Sequence, residues 1–103
     1  MIEQSRWSKF SLAQQIGNIG SEISRARYWE EKKDPASRAK SLERALELIN
    51  LTLADTRHRH RLKEIARFQE IVGAAFADQN DYQISLTDLD NYCLDFALLA
   101  RRT

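Results

Sequence analysis

Residues 12–26, LAQQIGNIGSEISRA, decide how this chain folds: Leu12, Ile16, Ile19, Ile23 and Ala26 recur at alternating steps of four and three residues. A helix, turning about 100° per residue, gathers such positions onto one side. Outward from there, residues 42–53, LERALELINLTL, repeat the rhythm with Leu42, Leu46, Ile49 and Leu53. Leu62, Ile65, Val72 and Phe76 continue it, and Leu89, Cys93, Phe96 and Ala100 complete it. The pattern predicts an all-α chain of four amphipathic helices.

Boundary residues divide the chain at matching places. Ser11 and Gln14 form a capping-box start, opening a helix over about 11–33. Asp34 and Pro35 read as an N-cap followed by an N1 proline, opening a second over 35–54. Asp55 and Thr56 offer capping oxygens for a third over 56–77, and Asp78, Gln79, Asn80 and Asp81 make a polar break after it. Thr87, with Asp90 closing its box, opens a fourth over 87–102, where Arg101 and Arg102 suit the negative end of the helix dipole. Short connections between the first three helices force antiparallel neighbours. The expectation is a single-domain antiparallel up-down four-helix bundle spanning residues 1–103.

Composition fits that picture and narrows the function classes. With 103 residues, 43% hydrophobic and 30% charged, the chain has room for one core. No stretch approaches the roughly 18 apolar residues of a membrane helix. Glu3, Arg6 and Lys9 interrupt the start, unlike the apolar run of a secretory signal. The expected setting is cytoplasmic, away from membranes. One cysteine, Cys93, excludes an internal disulfide or a cysteine-rich metal site, and its seam position predicts an inert, buried thiol.

Catalytic and metal constellations fail on spacing. His58 and His60 diverge by about 200° on a helix and cannot share one metal; His58 belongs at the core edge and His60 in solvent. Asp55 and His58 have carboxylate-x-x-His spacing, but a di-iron bundle needs two Glu-x-x-His motifs and further glutamates. Asp78, Asn80 and Asp81 lack the glycine and terminal glutamate of a calcium loop. Gly17, Gly20 and Gly73 all fall inside predicted helices, so no loop cradles phosphate, and no serine stands in a nucleophile motif. The expectation is a non-enzyme without cofactor or metal.

Residues left over from the seams suggest contacts instead. Ala13, Gly17, Gly20 and Ser24 form a lane of small side chains that lets another helix approach, from the same chain or a second one. Leu51 and Ile71 fall on the far side of their helices, Trp29 lies opposite the first seam, and Glu22 can pair with Arg25 three residues on. Gly17, Gly20, Ser24, Trp29, Leu51, Ile71, Glu22 and Arg25 are therefore the expected interface of a homo-oligomer. Charge is uneven although the net is +1: residues 57–67 carry Arg57, Arg59, Arg61, Lys63 and Arg67 against Glu64 alone, whereas residues 68–100 hold six acids and no lysine or arginine. The basic cluster either meets a nucleic-acid backbone or pairs with the acidic segment. A pI of 7.9 favours pairing. Arg61, near the seam, is expected to join a network with Glu22, Glu43 or Glu47.

The stretches QQIGNIGSEISRA, ERALELINLTLAD and RLKEIARFQEIV resemble a family of short bacterial helical proteins with no assigned activity, over about residues 7–100. More distantly, the architecture is similar to HEPN domains and to the bundle proteins of ribosomal RNA intervening sequences, to which accessory proteins of diversity-generating retroelements are related. HEPN ribonucleases carry an arginine and then a histidine with four to six residues between them. Here Leu51, Thr52 and Leu53 stand before His58, and Leu53, Ala54 and Asp55 before His60. The resemblance thus implies a non-catalytic, binding-type member. Within the matching stretches it directs attention to Asn18, Glu22, Arg25, Glu43, Arg44, Glu47, Asp55, Arg61, Glu64, Arg67 and Glu70. The expected function is a self-associating accessory module, with a further protein partner encoded nearby; the alternative is a nucleic-acid-binding bundle using the five basic residues.

Overall fold

A computed structural model describes residues 3–77 and 84–101. They form five α-helices and one 3-10 segment: α1 (Gln4–Trp7), α2 (Leu12–Glu31), α3 (Pro35–Leu53), the 3-10 segment (Thr56–Arg61), α4 (Leu62–Phe76) and α5 (Leu86–Arg101). No strand occurs among the described residues. The expected break at Asp78, Asn80 and Asp81, and Arg102, lie outside them. No helix of the structure is long and apolar enough to cross a membrane.

Capping chemistry sets most of the ends. Ser11 and Gln14 exchange side-chain and backbone hydrogen bonds at 2.8 and 3.2 Å, a complete capping box. Asp34 accepts from the Ser37 backbone N–H ahead of Pro35. At the end of α2, Lys33 adopts a left-handed φ of 57° and the Asp34 N–H reaches back to the Trp29 carbonyl, the closure usually given to glycine.

The ends differ from expectation in three places. α5 is capped two residues earlier than expected, at Ser85 instead of Thr87, because Ser85 and Asp88 form its reciprocal cap. The third predicted helix begins as a 3-10 turn: the Asp55 carboxylate takes the Arg57 N–H at 3.1 Å, and His58 leaves helical geometry at φ −99°, ψ 19°. The third difference is α1, a short helix ahead of Ser11 whose Trp7 is 2% exposed.

α2 lies at the centre, packed along both α3 and α5, while α4 packs on α3. Ile16, Ile19, Ile23 and Ala26 of α2 are fully buried, as are Leu42, Ala45 and Ile49 of α3. Leu46 and Leu53 of the predicted α3 seam are only half-buried. α4 presents Ile65, Phe68 and Val72 to the core, and this face carries Ile71 inward to 8% exposure while Leu62 and Phe76 turn out. Ile65 and Val72 of the expected seam are core residues, whereas Leu62 sits at the junction with the 3-10 turn and Phe76 is the last residue of α4, so neither reports the middle of the helix. α5 meets α4 and the 3-10 segment through side chains, with the Phe68 and Tyr92 rings 5.6 Å apart and the guanidinium of Arg61, at the end of the 3-10 segment, 5.8 Å from the Phe96 ring centroid.

The small-residue lane serves the α2–α5 contact. A Cβ placed on Gly20 would stand 3.1 Å from Cys93 Sγ, whereas one on Gly17 meets nothing within 4 Å. The Cys93 thiol donates to the Ile16 carbonyl at 3.1 Å, and burial pushes its pKa up to about 12. Substituting Gly20→Val should therefore destabilise the fold by about 1–3 kcal/mol through overpacking, and Gly17→Ala should stabilise it by about 0.4–1 kcal/mol; urea titration of both variants measures the contrast. Cys93 should resist iodoacetamide in the native protein and react once it is unfolded.

Candidate functional site

A groove of about 680 Å³ runs between the outer flanks of α2 and α3 and is closed at one end by the α1 region. Its two ends differ in chemistry. Trp7, Phe10, Leu48 and Leu51 line the α1 end, and Glu22, Arg25 and Arg44 the other, with Asn18 and Glu47 between. Glu22 is the centre of the polar end. Its side chain is 7% exposed, with Arg25 Nη1 on Oε1 and Arg44 Nε on Oε2 at 2.5 Å. Arg44 also donates to Ser41 Oγ at 3.3 Å. A buried carboxylate is tolerable only when both oxygens are engaged, so the two arginines are fixed at the groove mouth, each with unspent N–H donors facing solvent.

Beneath the α1 end lies a buried polar node. Gln15 Nε2 donates to the Trp7 carbonyl at 2.9 Å and to Asp55 Oδ2 at 3.3 Å, and its Oε1 lies 3.1 Å from His58 Nε2. An amide oxygen can only accept, so His58 carries its proton on Nε2. Trp7 Nε1 donates to Thr52 Oγ1 at 2.9 Å, and Arg57 holds Asp55 through two nitrogens while donating to the Phe10 carbonyl at 2.8 Å. Every buried side-chain nitrogen and oxygen among the described residues has a partner. This completeness gives the node the character of a structural lock. No group of three or more metal-ligating side chains occurs among the described residues.

The sequence-predicted residues scatter over this architecture. Glu22, Arg25 and Leu51 meet at the groove. Ser24 and Gly20 face α5 of the same chain, Ser24 donating to Asp90 at 2.9 Å. Trp29 is half-buried against Tyr28, ring centroids 5.0 Å apart. Ile71 belongs to the core, correcting its placement on the far side of α4. His58 is buried and His60 exposed, as spacing required.

The basic cluster is partly consumed by the fold. Arg57 is held by Asp55, while Arg61 pairs with Glu64 at 3.6 Å and covers Phe96; it meets none of Glu22, Glu43 or Glu47. Arg59, Lys63 and Arg67 are exposed. Asp90 of the acidic segment is bound by Arg27 of α2 at 2.7 Å, so that acid is neutralised by α2 rather than by the cluster.

Sequence reasoning missed the outer face of α5. Leu94, Leu98 and Leu99 are 59%, 46% and 48% exposed. Their signal was present: once Leu89, Cys93, Phe96 and Ala100 are assigned to the core, three leucines remain with no place in it. No family model, curated protein or solved structure matches this chain.

The node makes stability depend on pH in one direction. The Arg57 hydrogen bonds hold the Asp55 carboxyl well below the usual carboxylate range, and burial lowers the His58 imidazole, outweighing the opposing pull of Asp55. Both groups bind fewer protons folded than unfolded, so acid destabilises. The His58 contribution is full above its unfolded value of about 6.5 and is lost as pH falls below it; that of Asp55 is full above about 3.9 and is lost further down. Unfolding free energy should therefore drop between about pH 7.5 and about pH 5, and His58→Gln should flatten that slope in urea titrations.

Proposed function

We propose that this protein is a non-catalytic, self-associating interaction module, a single domain whose four long helices form an antiparallel up-down bundle. The observation that carries this reading is the strip of α5 leucines. Leu94, Leu98 and Leu99 stand about half exposed on an element whose other apolar side chains are buried or partly buried. Fully burying a leucine is worth about 1.5–3 kcal/mol, so covering three per copy is a substantial driving force against the loss of translational freedom. The groove supplies a second surface with both apolar and charged character, and five of the polar residues singled out by the family resemblance, Asn18, Glu22, Arg25, Arg44 and Glu47, line it.

The nucleic-acid alternative draws on the exposed side chains of Arg59, Lys63 and Arg67, and contacts of this kind are salt-sensitive. Light scattering after size exclusion, at low and high salt with and without a mixed single-stranded RNA, separates the readings. The interaction module predicts a mass that rises with protein concentration, resists salt and ignores RNA. A salt-sensitive shift of RNA into the protein peak, with a mass fixed at 12.0 kDa without RNA, would favour the alternative.

A further inference from the structure

We infer that residues 4–10 are a releasable strap: α1 leaves its seat as a unit while α2, α3, α4 and α5 stay folded, and in leaving it opens one end of the α2–α3 groove. The first support is how α1 is held. Trp7 is its one buried side chain, with Gln4 half-buried and Ser5 and Arg6 exposed, whereas α2 buries Ile16, Ile19, Ile23 and Ala26 completely. A helix of four residues is not stable by itself in water. A segment anchored by a single side chain therefore opens at lower free energy than the core on which it rests.

The second support is what the strap leaves behind. Among the described residues, each bundle side chain that bonds to it holds another partner within the bundle. Thr52 Oγ1, which accepts from Trp7 Nε1, donates to the Leu48 carbonyl at 3.1 Å. Gln15, which donates to the Trp7 and Phe10 carbonyls, keeps Asp55 and His58. Arg57, which donates to the Phe10 carbonyl, keeps Asp55 through two nitrogens. The Leu51 carbonyl, given up by Gln4, lies in the last turn of α3, where water is an ordinary partner. α2 retains its own start, because the Ser11–Gln14 box lies beyond the strap. Release thus strands no buried donor or acceptor, the cost that would otherwise hold the segment down. Trp7 and Phe10 line the α1 end of the groove, so the open form extends it over the seat beside Leu48, Leu51 and Thr52. α1 is a gate on the length of that groove.

Amide hydrogen exchange of the full chain, read residue by residue by NMR, tests the strap. The Trp7, Ser8 and Phe10 amides donate to the Glu3, Gln4 and Trp7 carbonyls, so their protection reports the closed strap, while the Ile19 and Gly20 amides report the bundle. The strap amides should exchange faster, with a shallower dependence on low concentrations of urea. Val72→Ala weakens the core about 15 Å along α4 from its junction with the 3-10 turn. It should speed Ile19 and Gly20 exchange by about tenfold or more and leave the strap amides unchanged, because closed and open forms lose the same packing. Ile23→Val, a milder change at the far part of α2, should speed Ile19 and Gly20 by about 2- to 12-fold with the same contrast. Equal acceleration of both sets of amides in the variant that folds, or equal urea dependence in the wild-type chain, shows that α1 melts only with the bundle and overturns the strap.

Discussion

The Gln15 side chain is the point on which the rest of this structure depends. From the first turn of α2 its amide reaches the backbone of α1, the Asp55 carboxylate after α3 and the imidazole of His58 in the 3-10 turn. Three segments, α1, the start of α2 and the turn after α3, are thus registered by one buried group. In a low-dielectric interior an unmatched donor or acceptor costs about 1–3 kcal/mol, so segments sharing such a network have a single arrangement that satisfies all of it. Apolar packing alone tolerates sliding and rotation. The node supplies the register that packing leaves loose.

That lock also shapes the surface. Because α1 is tied down through Trp7 and Thr52, its aromatic residues close one end of the α2–α3 groove. Because Glu22 is buried beside the groove, Arg25 and Arg44 are held at the other end instead of ranging through solvent. Interior polar chemistry therefore fixes the positions of exterior cations. A surface organised in this way presents a partner with a preset pattern of charge, reducing the ordering cost that flexible arginines would otherwise bring to a contact.

Much of the helical architecture was legible in the residues. The seam of α2, the Ser11–Gln14 box, the Asp34–Pro35 boundary and the buried cysteine are local signals, and each has a direct structural counterpart. What escaped was set by tertiary context. The phase of α4 depends on how the 3-10 turn delivers the chain to Leu62, which periodicity cannot register. α1 is four residues long, too short to show a period, and it is held by Trp7 rather than by helix propensity. For the candidate site, the sequence indicated the Glu22–Arg25 pair and Leu51 separately, and only the packing of α2 against α3 brings pair and leucine to one groove. The small lane was recognised, and the choice of α5 as its occupant required the fold.

The central place of α2 has a bearing on how the chain comes together during synthesis. Its first neighbour, α3, follows within a few residues, so their contact closes a short loop and can form early. Its second neighbour lies some fifty residues further on, and until α5 is made the flank bearing Ile16 and Gly20 has no cover. At translation rates of about 5–20 residues per second, the nascent chain carries that uncovered flank for several seconds. Closely spaced ribosomes would present such flanks side by side. The small residues that let α5 settle against α2 therefore also give the partly made chain less apolar surface to offer its neighbours.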